Sequence, residues 1–149
     1  MGYCRDGENR FDVFLSYARA DDDAHNQWVS SFERYLERMA RAELKRSQEA
    51  EPDRIDFFRA CRDKKGFPPA GALDAVIEQS VRHSEFLIIF LGRGYLASEW
   101  CLSEVDTFRQ NAGGALSETL RHLYLIVLDR EAVVALRGEG PPSTLPPNL

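Results

Sequence analysis

Two carboxylates, an indole and a thiol lie close together in the stretch SEWCLSEV, residues 98–105. Glu104 follows Trp100 by four residues, so on a helix the two side chains share a face, whereas Glu99 points elsewhere. Glu104 is therefore either a solvated acid on an ordinary surface helix or a carboxylate aimed at a substrate. Which of these two roles Glu104 has depends on how the neighbouring strands and helices position this helix.

The composition indicates one globular domain with a sizeable core: 149 residues, 44% of them hydrophobic and 29% charged. The net charge of −5 argues against broad electrostatic binding to nucleic acid. Cys4, Cys61 and Cys101 are scattered and show no metal-ligand spacing, so we expect reduced thiols in a cytoplasmic protein and no metal site. The apolar run at 86–91 is too short to span a bilayer, so we expect no membrane partner.

Alternating strand and helix patterns predict an α/β domain with a parallel, doubly wound sheet. The run FDVFLSYA (11–18) is typical of a first strand, and the following RADDD supplies helix-capping carboxylates. Further strands are predicted over 55–63, 85–92 and 122–129, the last two buried on both faces. Amphipathic helices are predicted over 73–84 and 98–111, and before them over about 20 residues whose apolar face comprises Trp28, Phe32, Tyr35, Leu36 and Met39.

The two ends of the chain differ from this pattern. Residues 1–10 form a polar N-terminal tail without the apolar segment of a signal peptide. Residues 131–149 form a Pro/Gly-rich C-terminal segment that holds four of the seven prolines and cannot be a central strand. A sheet of this kind usually has a fifth strand and a last helix, so we expect the chain to be cut from a longer protein.

Ligands of open α/β sheets bind beyond the carboxyl ends of the strands, where the strand order reverses. Here that rule selects residues 17–23, 63–71 and 92–104. No GxGxxG, no Walker loop, no Ser elbow and no Cys–His pair occurs there. A phosphate-receiving regulator would need paired acids at the end of strand one and an Asp at the end of strand three. Here Asp21, Asp22 and Asp23 come several residues late and strand three ends in LG. All of these chemistries are therefore set aside.

Three motifs in order resemble the Toll/interleukin-1 receptor (TIR) domain: FDVFLSYARAD, RD before a Gly/Pro loop, and SEFLIIFLGRGYLASEWCLSEV. The resemblance is to the bacterial-type, NAD-cleaving group, and residues 11–130 are interpreted as the TIR domain. It implies a flavodoxin-like five-stranded parallel sheet whose last strand and helix are missing here. Two features depart from the family pattern: the loop KKGFPPAG is slightly longer than usual, and Gly92 stands where Ser often follows the third strand.

The resemblance implies one of two functions. Some TIR domains are scaffolds that associate through the loop after the second strand. Others cleave NAD and release nicotinamide, using a Glu four residues after a Trp on the third helix. In this sequence that catalytic residue is Glu104, NAD+ is the substrate and no cofactor is implied. The assembly loop comprises Lys64, Lys65, Gly66, Phe67, Pro68 and Pro69.

A single carboxylate suffices for this reaction. Most glycosidases need a second one to protonate an alkoxide, but nicotinamide leaves as a neutral molecule. The carboxylate then only has to stabilise an oxocarbenium-like ribose. Residues of the three segments have suitable groups for substrate contacts. Tyr17 has an aromatic ring that can stack on a base, and Arg19 has a guanidinium that suits the pyrophosphate. Asp63 can bind a ribose hydroxyl or cap the loop. The expected substrate-binding residues are Tyr17, Arg19, Asp63, Gly71 and Trp100, although Trp100 also suits packing against the sheet.

The leading interpretation is a cytoplasmic NAD+ glycohydrolase or cyclase, an immune, anti-phage effector fused to a sensor or oligomerisation domain beyond Leu149. The family implies activation by self-association, because TIR enzymes often build the active site across neighbouring subunits. The alternative is a non-catalytic TIR–TIR adaptor or host-signalling mimic, for which Glu104→Ala would be harmless. A third possibility is a cyclic nucleotide signal made from NAD for a separate effector.

Overall fold

Four parallel strands form the centre of the domain. The computed structural model describes residues 3–4, 11–62 and 75–138. The strands are β1 (Phe11–Tyr17), β2 (Ala60–Arg62), β3 (Ser84–Leu91) and β4 (Leu123–Val127), in the spatial order β2-β1-β3-β4. This order corresponds to the first four positions of the flavodoxin-like arrangement 2-1-3-4-5. The predicted fold class, a doubly wound parallel α/β sheet, is confirmed.

Helices cover both faces of this sheet. In chain order they are α1 (Arg19–Ala24), α2 (Trp28–Arg46), α3 (Ala75–Arg82), α4 (Arg93–Leu96), α5 (Glu99–Asn111), α6 (Leu116–Arg121) and α7 (Arg130–Leu136), with a 3₁₀ helix over Pro52–Phe57. One apolar cluster, the α5-side core, joins Phe14 of β1 to α3, α5 and α7. A second cluster, the α2-side core, joins Val13 and Leu15 to α2. The alternation of side chains along β1 therefore separates two cores.

The buried face of helix α2 only partly matches the predicted one. Trp28, Tyr35 and Met39 are between 42% and 50% exposed. The residues that contact the α2-side core are Val29, Phe32, Leu36, Ala40 and Leu44, of which Phe32 and Leu36 were predicted. The contact face is shifted toward the small side chains of Val29 and Ala40, which allow the helix to approach the sheet closely. The predicted helix is confirmed, but its predicted apolar face is only partly right.

The second strand is shorter than predicted. Residues 55–63 were expected to form one strand, but the chain forms the 3₁₀ helix up to Phe57 and pairs with β1 only from Ala60 to Arg62. Pro52 at the start of the 3₁₀ helix presets its φ for a helical turn. The expectation of a strand from Ile55 is therefore wrong: the buried side chain of Ile55 belongs to the 3₁₀ helix and not to the sheet.

Strand β4 is more exposed than predicted. Tyr124, Leu125 and Val127 are between 46% and 53% exposed, although a strand buried on both faces was expected. Within the described residues β4 pairs with β3 alone. The fifth strand of the flavodoxin-like arrangement stays a prediction, and so does the cover it would give to β4.

The segment 131–149, which the sequence analysis assigned to a Pro/Gly-rich C-terminal segment, begins with helical residues. Helix α7 covers Arg130–Leu136, and the side chain of Asp129 caps it by accepting the Ala132 N–H at 2.9 Å. Residues 139–149, with the prolines, lie outside the described residues. No helix in the described ranges has both the length and the apolar character needed to cross a membrane.

The acidic run after β1 caps helices other than its own. Gln27, the residue before α2, gives no side-chain cap. Asp22 supplies it instead: its carboxylate accepts the Val29 N–H at 2.7 Å and the Ser30 hydroxyl at 2.8 Å. A carboxylate at this position accepts a hydrogen bond from a backbone N–H that has no partner within the helix. Its negative charge also interacts favourably with the positive end of the helix dipole.

We therefore expect Asp22→Ala to lower the free energy of unfolding by about 1–3 kcal/mol, because a buried backbone N–H loses a charged acceptor. The neighbouring Asp23 is exposed, so Asp23→Ala is the matched control and should change stability by less than about 0.5 kcal/mol. Urea unfolding followed by circular dichroism measures both. Equal effects of the two substitutions would contradict the capping role.

Candidate active site

The candidate site lies at the carboxyl edge of the sheet, between β1 and β3. These adjacent strands run in parallel and end at Tyr17 and Leu91. The chain leaves β1 toward α2 on one face and leaves β3 toward α5 on the other. A crevice forms at such a reversal. Two of the three segments predicted to form the site, 17–23 and 92–104, are described here.

Helix α5 carries Glu104 on its buried face. The Ser98 side chain caps the helix by accepting the Cys101 N–H at 3.3 Å. One turn later Glu104 is only 2% exposed, with Cys101 and Phe108 on the same buried face. The predicted helix over 98–111 is confirmed, and of the two alternatives left open for Glu104 the structure shows the buried one. Glu104 is therefore not a solvated surface acid.

Ser16 is a polar partner of this carboxylate. Ser16 is fully buried near the end of β1, and its hydroxyl donates a hydrogen bond to Oε2 of Glu104. A buried carboxylate without such a donor would be strongly destabilising. A hydrogen bond to the ionised form also favours that form. The contact thus joins the helix after β3 directly to the end of β1.

Tyr95 extends this contact into a buried network. Its hydroxyl lies 2.8 Å from Oγ of Ser16 and 3.4 Å from the carbonyl oxygen of Cys101. Burial raises the pKa of Tyr95 well above its ordinary value, and the nearby Cys101 and Glu104 add to this effect. Burial, followed by the charge of Glu104, likewise raises the pKa of the Cys101 thiol to about 12. Both groups are therefore neutral near pH 7, and Cys101 is not a thiolate nucleophile.

Asp21 holds the segment that carries Tyr95. Its carboxylate accepts the N–H groups of Gly94 at 2.8 Å and Tyr95 at 2.9 Å, and so caps α4 from a distance. The residue before α4 is Gly92, which has no side chain to do this. A Cβ at Gly92 would overlap the carboxylate of Asp21. Glycine is thus required here by close approach, which explains why no Ser stands at this position.

Tyr17 lies on the other face of β1, against the α2-side core. Arg62, at the end of β2, donates to the Tyr17 hydroxyl at 3.0 Å and to Oε2 of Glu33 at 2.6 Å. The guanidinium carbon of Arg62 also lies 5.9 Å from the centre of the Tyr17 ring. Burial raises the pKa of Tyr17, and the hydrogen bond from Arg62 partly opposes this. This second buried polar group fixes the ends of β1 and β2 to α2.

The other predicted substrate-binding residues have different surroundings. Arg19 is exposed at the first position of α1. Trp100 is half-buried and packs against the α5-side core, which is the structural role that the sequence also allowed. Its indole Nε1 is buried and has no hydrogen-bond partner within the described residues. An N–H group of this kind is usually paired in proteins, so it is a candidate donor to a ligand.

The remaining predicted site residues lie outside the described residues. They are Asp63, Gly71 and the assembly loop of Lys64, Lys65, Gly66, Phe67, Pro68 and Pro69. Their assigned roles stay predictions. No group of three or more His, Cys, Asp or Glu side chains within 3–4, 11–62 and 75–138 is arranged to hold a metal ion.

Sequence reasoning missed four residues that organise the site: Ser16, Asp21, Tyr95 and Arg62. Ser16 did carry a signal, because it is a hydroxyl in an otherwise apolar stretch of a central strand. Asp21 also carried one, since a run of three acids after a strand exceeds what one short helix needs. Tyr95 and Arg62 lie within the motifs that resemble the TIR domain, but nothing in those motifs indicates their partners, which are far away in the sequence.

The fold and site define a flavodoxin-like α/β domain with a buried carboxylate at the reversal of strand order. A family model described as "TIR domain" matches residues 13–138, and the chain therefore belongs to the TIR-domain family. Among solved structures, the TIR domains in the "Structure of the activated Roq1 resistosome directly recognizing the pathogen effector XopQ" align with 86% of this chain and 69% of that chain. The alignment has 15% identity and a TM-score of 0.46.

The Asp21–Gly92 contact can be tested through stability. We expect Gly92→Ala and Asp21→Ala each to lower the free energy of unfolding by about 1–3 kcal/mol, because each removes the charged cap from buried N–H groups. If the clash with Asp21 is the cause, Gly92→Ala should cost less than about 0.5 kcal/mol once Asp21 is already alanine. Urea unfolding of the two single variants and the double variant measures this. Additive costs would contradict the contact.

Proposed function

We propose that this TIR domain cleaves the bond between nicotinamide and ribose in NAD+, as a glycohydrolase or cyclase. The observation that carries the proposal is the placement of Glu104, a buried carboxylate at the carboxyl edge of β1 and β3, hydrogen-bonded by Ser16. In a TIR domain with Trp100 four residues earlier, this is the position at which the resemblance to NAD-cleaving members places the catalytic acid.

The chemistry needs little else from the protein. The bond between C1′ of the ribose and the pyridinium nitrogen breaks, and its electron pair goes to the nitrogen, so nicotinamide leaves neutral. The positive charge moves to C1′ and the ring oxygen. The ionised Glu104 stabilises that charge, and a low-dielectric site strengthens the effect. Water then attacks C1′ to give ADP-ribose and a proton, or a nucleophile of the same molecule attacks to give a cyclised product.

The described residues at this edge suit parts of the substrate. The indole N–H of Trp100, which has no hydrogen-bond partner within the described ranges, lies on the helix that carries Glu104 and would donate to the substrate. The guanidinium of Arg19, exposed at the first position of α1, suits the pyrophosphate. Tyr17 is held by Arg62 on the other face of β1, so it would contact the substrate only at the end of the strand. Asp63 and Gly71 would complete the substrate contacts from the loop after β2.

The burial of Glu104 sets a condition on this activity. A carboxylate that is 2% exposed cannot contact a ribose until the crevice opens. We propose that self-association provides the opening and that the loop of Lys64, Lys65, Gly66, Phe67, Pro68 and Pro69 contributes to the contact. The isolated domain would then be a weak enzyme. The biological role that fits is a cytoplasmic immune, anti-phage effector whose fused sensor or oligomerisation domain clusters the TIR domains.

A second candidate is a non-catalytic TIR–TIR adaptor, and the same burial favours it. In that case the hydrogen bond between Ser16 and Glu104 serves only to join α5 to β1. Association would then depend on the loop after β2, and Glu104→Gln would affect folding stability but no reaction.

The test is nicotinamide release from NAD+ by the domain, both free and clustered on beads, followed by chromatography. We expect Glu104→Gln to lower the rate of the clustered enzyme by about 10²- to 10³-fold, because the charge that stabilises the oxocarbenium is removed. Glu99→Gln is the matched control: Glu99 is exposed on the same helix, so its rate should stay within about twofold of wild type.

Circular dichroism establishes that each variant is folded before rates are compared. Release that survives Glu104→Gln would contradict the site assignment. If neither the clustered domain nor the activated full-length protein released nicotinamide, the adaptor would replace the enzyme. Release from the clustered domain alone would support activation by self-association.

A further inference from the structure

We propose that Ser16 is a positioning residue for Glu104 and that Tyr95, placed by Asp21, sets the direction of the Ser16 hydroxyl. The catalytic meaning of this inference rests on the proposed function. The structural claim does not, because it concerns which donor holds the carboxylate. Two long-range contacts carry it: Ser16 with Glu104, and Tyr95 with Ser16.

Counting protons assigns a direction to the network. Ser16 has one hydroxyl hydrogen, which it donates to Oε2 of Glu104. The hydrogen bond of 2.8 Å between Ser16 and Tyr95 must then use the phenol hydrogen of Tyr95. Since burial keeps the pKa of Tyr95 well above its ordinary value, that hydrogen is present throughout the neutral range. The donors therefore run from Tyr95 to Ser16 to Glu104.

Tyr95 is fixed at both ends. Its backbone N–H donates to Asp21 at 2.9 Å, and its ring is 2% exposed within the α5-side core. The only alternative acceptor recorded for its hydroxyl in the described part of the chain is the carbonyl oxygen of Cys101, at the longer distance of 3.4 Å. Rotation of the phenol hydrogen toward that carbonyl would leave Ser16 without its donor. The backbone position of Tyr95 thus favours one orientation of the Ser16 hydroxyl.

The contact matters because a glutamate side chain has several rotatable bonds. Ser16 belongs to a central strand and is paired in register with Ile89 of β3, so it is a rigid reference point. A hydrogen bond from this strand fixes one carboxylate oxygen relative to the sheet edge. Small errors in the position of a catalytic group are costly, of the order of 10²-fold in rate for about 1 Å. The same bond favours the ionised form of the carboxylate.

Titratable groups from two helices lie close to this carboxylate, and an acid from a third helix lies close to one of them. Tyr95 of α4 and Cys101 of α5 are both neutral, since burial raises the pKa of each. Asp21 of α1 is the further acid whose charge reaches Cys101, and two backbone N–H groups hydrogen-bond it. Loss of the Ser16 hydroxyl therefore removes from this carboxylate the donor that the central strand supplies.

Kinetics of nicotinamide release on beads provide the first test, with Ser16→Ala and the volume-matched Ser16→Cys. A thiol is a weak donor, so both variants should lose about tenfold to hundredfold in kcat. KM should stay within about threefold, because the lost interaction acts on the carboxylate rather than on substrate binding. Tyr95→Phe should lower kcat less than Ser16→Ala does and should have no further effect in the Ser16→Ala background.

The second test does not depend on activity. Glutamate labelled with ¹³C at the carboxyl carbon reports the titration of Glu104 by NMR, with the signal assigned from Glu104→Gln. Removing a donor from the ionised form disfavours that form, so the midpoint for Glu104 should rise in Ser16→Ala and in Ser16→Cys. In Tyr95→Phe the rise should be smaller. Ser16→Cys and Tyr95→Phe keep this test available if Ser16→Ala does not fold.

The outcomes separate the two proposals. An unchanged kcat and an unchanged midpoint in folded Ser16 variants would overturn the positioning role, even if Glu104→Gln abolished release. Additive effects of Tyr95→Phe and Ser16→Ala would overturn the direction assigned to the network. If wild type released no nicotinamide, the proposed function would fail, and the midpoint alone would decide whether Ser16 holds the carboxylate.

Discussion

The rest of the site depends on the buried carboxylate of Glu104, which needs hydrogen-bond donors from its surroundings. An ionised acid removed from water is tolerated only with donors at close range. Ser16 provides one such donor from the central strand, and the hydroxyl of Tyr95 is hydrogen-bonded to Ser16. These contacts connect β1, α4 and α5 across the reversal of strand order. The same geometry that stabilises the fold places a carboxylate where an α/β sheet binds ligands.

The acidic run after β1 holds the surrounding helices in place through their N-termini. Asp22 caps α2 on one face of the sheet, and Asp21 caps α4 at its edge. One short segment therefore positions the helix that covers the α2-side core and the turn that carries Tyr95. The contact of Asp21 with α4 also requires a glycine at position 92, because a Cβ there would overlap the carboxylate of Asp21. Two cores and the candidate site thus depend on two neighbouring acids.

Local sequence patterns predicted those parts of the structure that local physics determines. The apolar runs of β1 and β3, and the capped helix that carries Trp100 and Glu104, were evident from composition and spacing. The buried face of α2, the shortness of β2 and the exposure of β4 were not, because each depends on how closely another element approaches. The network of Ser16 with Tyr95 was also hidden, since it joins residues 79 positions apart.

The proposed function requires that a ribosyl cation develops at C1′ as nicotinamide leaves. The most direct measurement is the secondary isotope effect on nicotinamide release from NAD+ tritiated at C1′ of the nicotinamide ribose, using the clustered domain or the activated full-length protein. The account predicts release with a clearly normal effect, because C1′ becomes trigonal as the cation forms. An absence of release from the activated protein, or an isotope effect at or below one, would contradict it.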